Sequence, residues 1–597
     1  MSGPQIAICL IVLAVTVFFI WGRWRYDVVA FAGLMATVVA GLVPAADAFD
    51  GFGHPAVVTV LAVLVISRAL ANSGAIDAVA ALVVRASASP ALHVAVLAGV
   101  AAFLSAFMNN VAALALLLPV ALQSCVKVER SPGLILMPMA FGSILGGLAT
   151  MIGTPPNVII ASYRTTTGEP AFGMFDFTAV GLPIAIVGVA FVALIGWHLL
   201  PASVRKRNVP ADLGAIEDYI TEAKVPEDSV AVGLPLHELD EKVAESDVQI
   251  VALIRDGHRM LSAARYVQVK AGDVLMLSAS PEGMTKAVAA LELELEGEKS
   301  QAVESLKSEE VALLEAIVAT GSRIEGHTPS SLRLGSRYDL NLLAVSRQGS
   351  PTRGRLRSFR FQAGDILLLQ GEREHASAAM ARLGLLPLAE RKISVGARRR
   401  AVPAVAIFVA AVTAAAFGLA PITITFSLAM LAMVLLGMVT LRELYEAIDW
   451  PVLVLLGAMI PVGGALETTG TTTLLANGLL TVMAGAPPIA LLAVIMIVTM
   501  TLSDIMNNAA TAIVMAPIAV GVASALGVAT DPFLMAVAVG ASCAFLTPIG
   551  HQNNTLIMGP GGYRFGDYWR MGLPLEIVIV GLALLLIPWA WPLIPAG

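Results

Sequence analysis

Charge is scarce in this sequence: only 13% of its 597 residues are Asp, Glu, Lys or Arg, where a soluble globular chain carries about a quarter. The shortage excludes a uniformly water-facing surface. It is also uneven, because nearly all the charge falls between Arg205 and Arg400 and long apolar stretches flank it. Cysteine is nearly absent. Cys9, Cys125 and Cys543 lie in or beside apolar segments without metal-ligand spacing or a disulfide framework, so they read as small buried hydrophobes. No nucleophile–base set, phosphate loop or metal cluster is recognisable, which argues against an enzyme. Met1–Gln5 lacks a basic n-region, so Ile6–Trp21 reads as a first span and not as a cleavable signal peptide.

What is present is apolar length. Runs of about 17–25 apolar residues cross a hydrocarbon core about 30 Å thick. Candidate spans are Pro4–Trp21, Asp27–Val43, Pro55–Ala71, Gly133–Ile160 and Thr178–Leu200, then Ala401–Gly418, Pro421–Val439, Pro451–Leu466, Pro532–Met558 and Gly572–Pro592. Within each set lies a stretch broken by polar residues, Pro90–Val126 and Pro488–Leu526, which reads as a re-entrant hairpin. Asn72–Ser89 looks amphipathic. The expected fold is an α-helical polytopic membrane protein of two inverted repeats, each with about five spans plus a hairpin. A soluble α+β insert separates them. The expected divisions are residues 1–208 and 391–597 for the membrane repeats, and 209–297 and 298–390 for two tandem modules.

The repeat shows in the residues themselves. Ser105-Ala-Phe-Met-Asn109-Asn110-Val111 matches Ser503-Asp504-Ile-Met-Asn507-Asn508-Ala509. Later, Gly153-Thr154-Pro155-Pro156-Asn157 answers Thr547-Pro548-Ile549-Gly550. With the N-terminus outside, nearly every basic residue flanking a span faces the cytoplasm, among them Arg23, Arg68, Arg85, Lys127, Lys206, Arg207, Arg442 and Arg570; only Arg164 falls outside. An odd number of spans then inverts the second half. Inside the insert, Ala271-Gly272-Asp273 and Ala363-Gly364-Asp365 mark matching turns between short β-rich runs, with a weak helix closing each unit near Met284–Leu295 and His375–Leu383.

Paired, Gly/Pro-interrupted helices are the best sequence pointer to a transport site. Asn109, Asn110, Asn507 and Asn508 supply polar groups without fixed charge, and Thr154 and Thr547 add hydroxyls. Gly153 and Gly550 permit close backbone approach, and Pro155, Pro156 and Pro548 prevent continuous helix. Asp504, whose counterpart is Ala106, is an acidic group at membrane depth and so a candidate for coupling. His551 is a candidate partner for it or a pH sensor. Both motif regions lack basic side chains, so an anion would be held by dipoles, amides and a co-bound cation.

These residues resemble the divalent anion:sodium symporter family of the ion transporter superfamily, with its Ser-x-x-x-Ser-Asn-Thr hairpins and Gly-Thr-Pro-Pro-Asn or Thr-Pro-Ile-Gly breaks. The resemblance implies a homodimeric, elevator-type, cation-coupled transporter with one Na⁺ site per hairpin. It places Ser105, Asn109, Asn110 and Gly153 at one site, and Ser503, Asn507, Asn508 and Gly550 at the other. The substrate would sit between the tips. The family serine is Asn109 and Asn507 here, and its threonine is Val111 and Ala509. The insert resembles two RCK-C (TrkA-C) domains, as in the sulfate-transporter-like branch. That architecture implies sulfate as the anion, an inner-membrane location, a cytoplasmic insert and a small-molecule regulator on it. No Gly-rich dinucleotide fingerprint is present, and nucleic acid is not among the expected partners. Alternatives are a dicarboxylate transporter, a cation/H⁺ exchanger, or a membrane sensor derived from a transporter.

Overall fold

The structure, a computed structural model, describes residues 1–21, 23–73, 89–128, 130–205, 220–236, 238–239, 248–255, 258–261, 267–279, 291–296, 311–318, 322–338, 340–347, 350–351, 359–372, 376, 379–380, 382–387, 398–483 and 485–594. Most of the expected amphipathic stretch, Arg85, Lys206, Arg207, His375 and the expected domain limits at 208/209, 297/298 and 390/391 lie outside the described residues.

The first membrane part contains α1 (Gly3–Trp21), α2 (Tyr26–Val39), α3 (Pro55–Asn72), α4 (Pro90–Ser105), α5 (Asn110–Lys127), α6 (Pro132–Gly146), α7 (Pro155–Tyr163) and α8 (Thr178–Phe191). The second contains α9 (Arg398–Ala416), α10 (Ile422–Leu435), α11 (Trp450–Thr468), α12 (Thr471–Val482), α13 (Pro488–Ser503), α14 (Asn508–Leu526), α15 (Asp531–Ser542), α16 (Gln552–Gly561) and α17 (Tyr568–Ala590). Proline opens α3, α4, α6 and α7, at positions where no intrahelical amide bond is lost. Seven helices among the described residues are long and apolar enough to cross a membrane. The first arms of the two hairpins, Pro90–Ser105 and Pro488–Ser503, are shorter, whereas the second arm Asn508–Leu526 is among the seven.

Packing pairs the elements in a matched way. The first arm of each hairpin lies along the helix before the break of its own half, α4 on α6 and α13 on α15. The approach at Gly146 is so close that a Cβ there would overlap the Ala102 backbone. Other contacts cross between halves. Helix α2 packs on α11, α10 on α3, α14 on α7, and α16 on α6. The Phe141 and Phe545 rings meet across this seam with centroids 4.7 Å apart. Tyr563 donates its hydroxyl to the Gly133 carbonyl at 2.6 Å and accepts the Met137 amide at 2.8 Å. Arg164, the one basic residue expected outside, forms a bidentate pair with Asp531 at 2.7 Å.

Among its described residues the insert holds two five-stranded antiparallel sheets. In the first, β1 (Ile220–Lys224), β2 (Val248–Arg255), β3 (His258–Leu261), β4 (Val274–Ala279) and β5 (Glu294–Glu296) run in the order β3-β2-β4-β1-β5. The second has β6 (Val311–Val318), β7 (Asn341–Arg347), β8 (Ser350–Pro351), β9 (Ile366–Glu372) and β10 (Leu385–Pro387) in the order β10-β6-β9-β7-β8. Read from the other edge, the two orders coincide. Each Ala-Gly-Asp turn anchors an arginine at the end of a neighbouring strand. Arg255 reaches Asp273 at 2.7 and 2.8 Å, and Arg347 reaches Asp365 at 2.7 Å through both nitrogens. One expectation changes: Glu294 and Leu295, placed in a closing helix, are strand β5 paired with β1. The alternation of buried Leu291 and Leu293 with exposed Glu292 and Glu294 is a strand period, and it prevails over helix propensity. Residues 284–290 of that expected helix lie outside the described residues, whereas in the second unit 376, 379–380 and 382–383 are helical.

Candidate functional site

Each hairpin turn is built from the same parts. Asn109 accepts the Val111 amide at 2.8 Å and Asn507 accepts the Ala509 amide at 2.9 Å, so both act as N-caps of the second arm. Asn508 also accepts the Ala509 amide, at 2.8 Å. Asn110 is different. Its side chain is buried, with Oδ1 2.5 Å from Ser105 Oγ and Nδ2 3.2 Å from His551 Nε2. His551 Nδ1 accepts the Asn553 amide at 3.2 Å, which leaves the proton on Nε2 in the neutral ring. All three groups are satisfied when the Asn110 amide turns its oxygen to His551 and its nitrogen to Ser105, an exchange of near-identical shapes. The Asn110 carbonyl accepts from Ser143 Oγ at 2.9 Å and from Asn553 Nδ2 at 3.3 Å. The first hairpin turn is thereby tied to the break of the second half.

The breaks are held open by two matched devices. Thr150 Oγ1 donates to the Ala106 carbonyl, and Thr547 Oγ1 donates to the Asp504 carbonyl at 2.5 Å. Asn157 Nδ2 donates to the carbonyls of Gly147 and Thr150 at 3.2 and 2.9 Å; Asn554 Nδ2 donates to those of Ala544 and Thr547 at 3.2 and 3.1 Å. These bonds correct the motif register. Thr547 corresponds to Thr150, and Thr154 corresponds to His551, while Gly153 still corresponds to Gly550. The threonine-to-glycine spacing is the same in both halves, and the run of prolines after Gly153 obscured it in the sequence.

Gly153 packs on the Gly147 backbone, and Gly147 in turn lies against the Asn110 side chain. Gly550 packs directly on Ser503 and Asp504. Ser503 Oγ donates to the Ala541 carbonyl at 2.6 Å. Asp504 is buried and accepts the Leu546 amide at 3.0 Å. One residue along the chain, the Phe545 amide donates at 3.2 Å to Glu576, a second buried carboxylate that sequence reasoning missed. Gly181 and Gly572 sit against the matching carbonyls of Leu148 and Phe545, so the counterpart of Glu576 is Ala185. The acidic pair therefore belongs to one half only.

Buried side-chain oxygens without a protein partner gather at the breaks: Thr154 Oγ1, Asn157 Oδ1, Asp504 Oδ2, Asn553 Oδ1 and Asn554 Oδ1. A buried acceptor with no donor is costly. Oxygens of this kind are the ligands that hard cations take. Among the described residues no three His, Cys, Asp or Glu side chains come together as a metal cluster. Residues 131–163 and 488–563 contain no Lys or Arg. Asn157 already stood in the Gly-Thr-Pro-Pro-Asn string; Thr150 and Asn554 join the site as the register partners of Thr547 and Asn157, whereas Ser143 and Asn553, which align with Gly540 and Pro156, carry no sequence signal.

Two hairpins meeting two broken helices, inside a bundle of apolar helices, define a multi-pass membrane transporter. The chain belongs to the citrate transporter family: the family profile described as CitMHS, citrate transporter, matches residues 16–540. An uncharacterized transporter of Synechocystis is 30% identical over 584 residues, covering 96% of this chain and 95% of that one. An uncharacterized transporter of Escherichia coli is 26% identical over 616 residues, 99% of this chain and 100% of the other. Sodium/sulfate cotransporter 1 of Chlamydomonas reinhardtii is 23% identical over 372 residues, 58% of this chain and 41% of that protein. The family and these relatives are transporters, not enzymes.

Proposed function

We propose that the protein is a secondary active transporter that moves a small anion, sulfate, with Na⁺ or H⁺ as the driving ion. The observation that carries the reading is the set of orphaned buried oxygens at two breaks that contain no basic side chain. Such a site takes the cation first, and the bound cation with the hairpin dipoles then attracts the anion. Ser105, Asn110 and Gly153 with Thr154 and Asn157 form one ion-binding region; Ser503, Asn508 and Gly550 with Asp504 and Asn554 form the other. Asn109, Val111, Asn507 and Ala509 line the tips toward the substrate, and Thr547 holds its break in shape. Asp504, with Glu576 beside it, is the coupling carboxylate, and His551 links the second break to the first hairpin.

In this reading the halves are inverted repeats, the pair works as a homodimer in the inner membrane, and the hairpin units move as an elevator. The insert is a cytoplasmic pair of RCK-C-like modules able to take a small regulator. The sodium/sulfate cotransporters among the relatives support both ions. A carboxylate cargo is the second reading, favoured by the family description. Val111 and Ala509, where the resemblance has hydroxyls, stand against it.

The test is uptake of labelled sulfate into proteoliposomes with and without an inward Na⁺ gradient. Gradient-dependent sulfate uptake is expected. Clear citrate or succinate uptake without sulfate uptake would replace the substrate and keep the transporter.

A further inference from the structure

The two sheets of the insert are alike in strand order and turn, but one surface differs between them. Across β10, β6 and β9 the register aligns Leu386 with Ile317 and Ile317 with Ile366. Ile317 and Ile366 are buried, and they pack within the same hydrophobic cluster as the membrane helices and not within the core of their own sheet; Leu386 packs against that cluster. The matching row of the first sheet is Glu294, Lys224 and Val274. There the two charged residues are exposed, and every residue of that sheet's core belongs to its own cluster.

The turns differ in the same sense. Gly272 and Gly364 share a left-handed backbone, with φ of +87° and +85°. Among the described residues nothing lies within 4 Å of a Cβ built on Gly272. A Cβ on Gly364 would come 3.3 Å from the Thr555 carbonyl oxygen, and one on Gly559 would overlap the Gly364 carbonyl oxygen. Thr555 and Gly559 belong to Gln552–Gly561, whose N-cap is His551. Two glycines, one in each partner, let the turn sit against the helix backbone.

We infer that the second sheet of the insert is a docking module for the broken helix Gln552–Gly561, fastened by the Gly364–Gly559 contact and by the Leu386–Ile317–Ile366 row. The first sheet has the same fold with a charged face and an open turn. Gly559, where the turn docks, lies eight residues from His551, about 12 Å along a helix at 1.5 Å per residue. A change in the insert therefore acts on the helix that meets Asn110, and a change at the site acts back on the insert. The docking stands on the contacts alone; its regulatory use rests on the transporter reading above.

The test is hydrogen exchange on the full chain in detergent or nanodiscs, read on peptides covering 361–367 and 555–562. In Gly559→Ala, whose helical backbone tolerates alanine, both peptides are expected to exchange about tenfold faster. Ile317→Lys places the first sheet's residue in the row and gives the same result without touching the membrane helix. Gly272→Ala, at the corresponding turn of the first sheet, leaves both peptides unchanged. Unaltered exchange in both Gly559→Ala and Ile317→Lys overturns the docking. If the two variants loosen the peptides but neither Na⁺ nor any tested anion protects them in the wild type, docking holds and the link to the transport site is overturned. Absent sulfate uptake with protection by citrate changes only the proposed substrate.

Discussion

Asn110 and His551, separated by 441 residues, face each other at 3.2 Å in the buried centre of the molecule. One belongs to the first hairpin turn and the other caps the helix after the second break. The pair joins the two halves at the point where each helix is interrupted. His551→Leu removes both this contact and the cap on Asn553. We expect sulfate flux to fall at least about tenfold and stability to drop by about 1–2 kcal/mol, the range for a lost cap. Flux at the wild-type level in proteoliposomes would remove His551 from the site.

Asn157 and Asn554 each span a break by donating to two carbonyls. Leucine at either position leaves two buried carbonyls without that donor, a loss of about 1–3 kcal/mol. Thermal unfolding of Asn157→Leu and Asn554→Leu should therefore show similar decreases. A large decrease in one and none in the other would contradict the matched register.

Asp504 and Glu576 accept neighbouring amides at the second break only. Asp504→Asn keeps the shape and removes the charge. The expected result is a rise of about tenfold in the Na⁺ concentration needed for half-maximal uptake, or loss of the pH response if the proton drives transport. Wild-type dependence on both ions in Asp504→Asn assigns the coupling elsewhere.

In the insert, burial works to raise the Asp273 carboxyl, but hydrogen bonds from Arg255 and from the Lys270 amide outweigh it and hold the group below its ordinary range. A lowered folded-state value means the pair stabilises fully above the unfolded value, about pH 4, and loses that contribution as pH falls through the folded value. Denaturation of the insert, followed by exchange at Val274–Ala279, should steepen below about pH 4. Asp273→Asn should flatten that dependence while lowering stability at neutral pH. An unchanged acid profile in the variant would show that another group controls it.

Much of this was readable residue by residue. The apolar runs and the prolines that open them mark the helices, and the Asn-Asn pairs mark both turns. The twin Ala-Gly-Asp turns point to two similar sheets. Other features were hidden. Glu576 sits inside a helix with no motif around it, and its role appears only where the Phe545 amide meets it. Thr150 was passed over because Thr154 lies in the more conspicuous Gly-Thr-Pro-Pro-Asn string. The end of the helix expected near Met284–Leu295 is a strand because pairing with β1 outweighed local preference.

Hydropathy and repetition are properties of neighbouring residues, so the sequence by itself determined that the chain crosses a membrane, breaks its helices at paired motifs and carries a β-rich insert. The contacts between distant segments were decided only by tertiary structure. Which asparagine caps its own helix and which reaches His551, where the second carboxylate lies, and which insert sheet meets a membrane helix all depend on packing. Hydrogen bonds and close glycine contacts act over about 3 Å and have no counterpart in the order of residues.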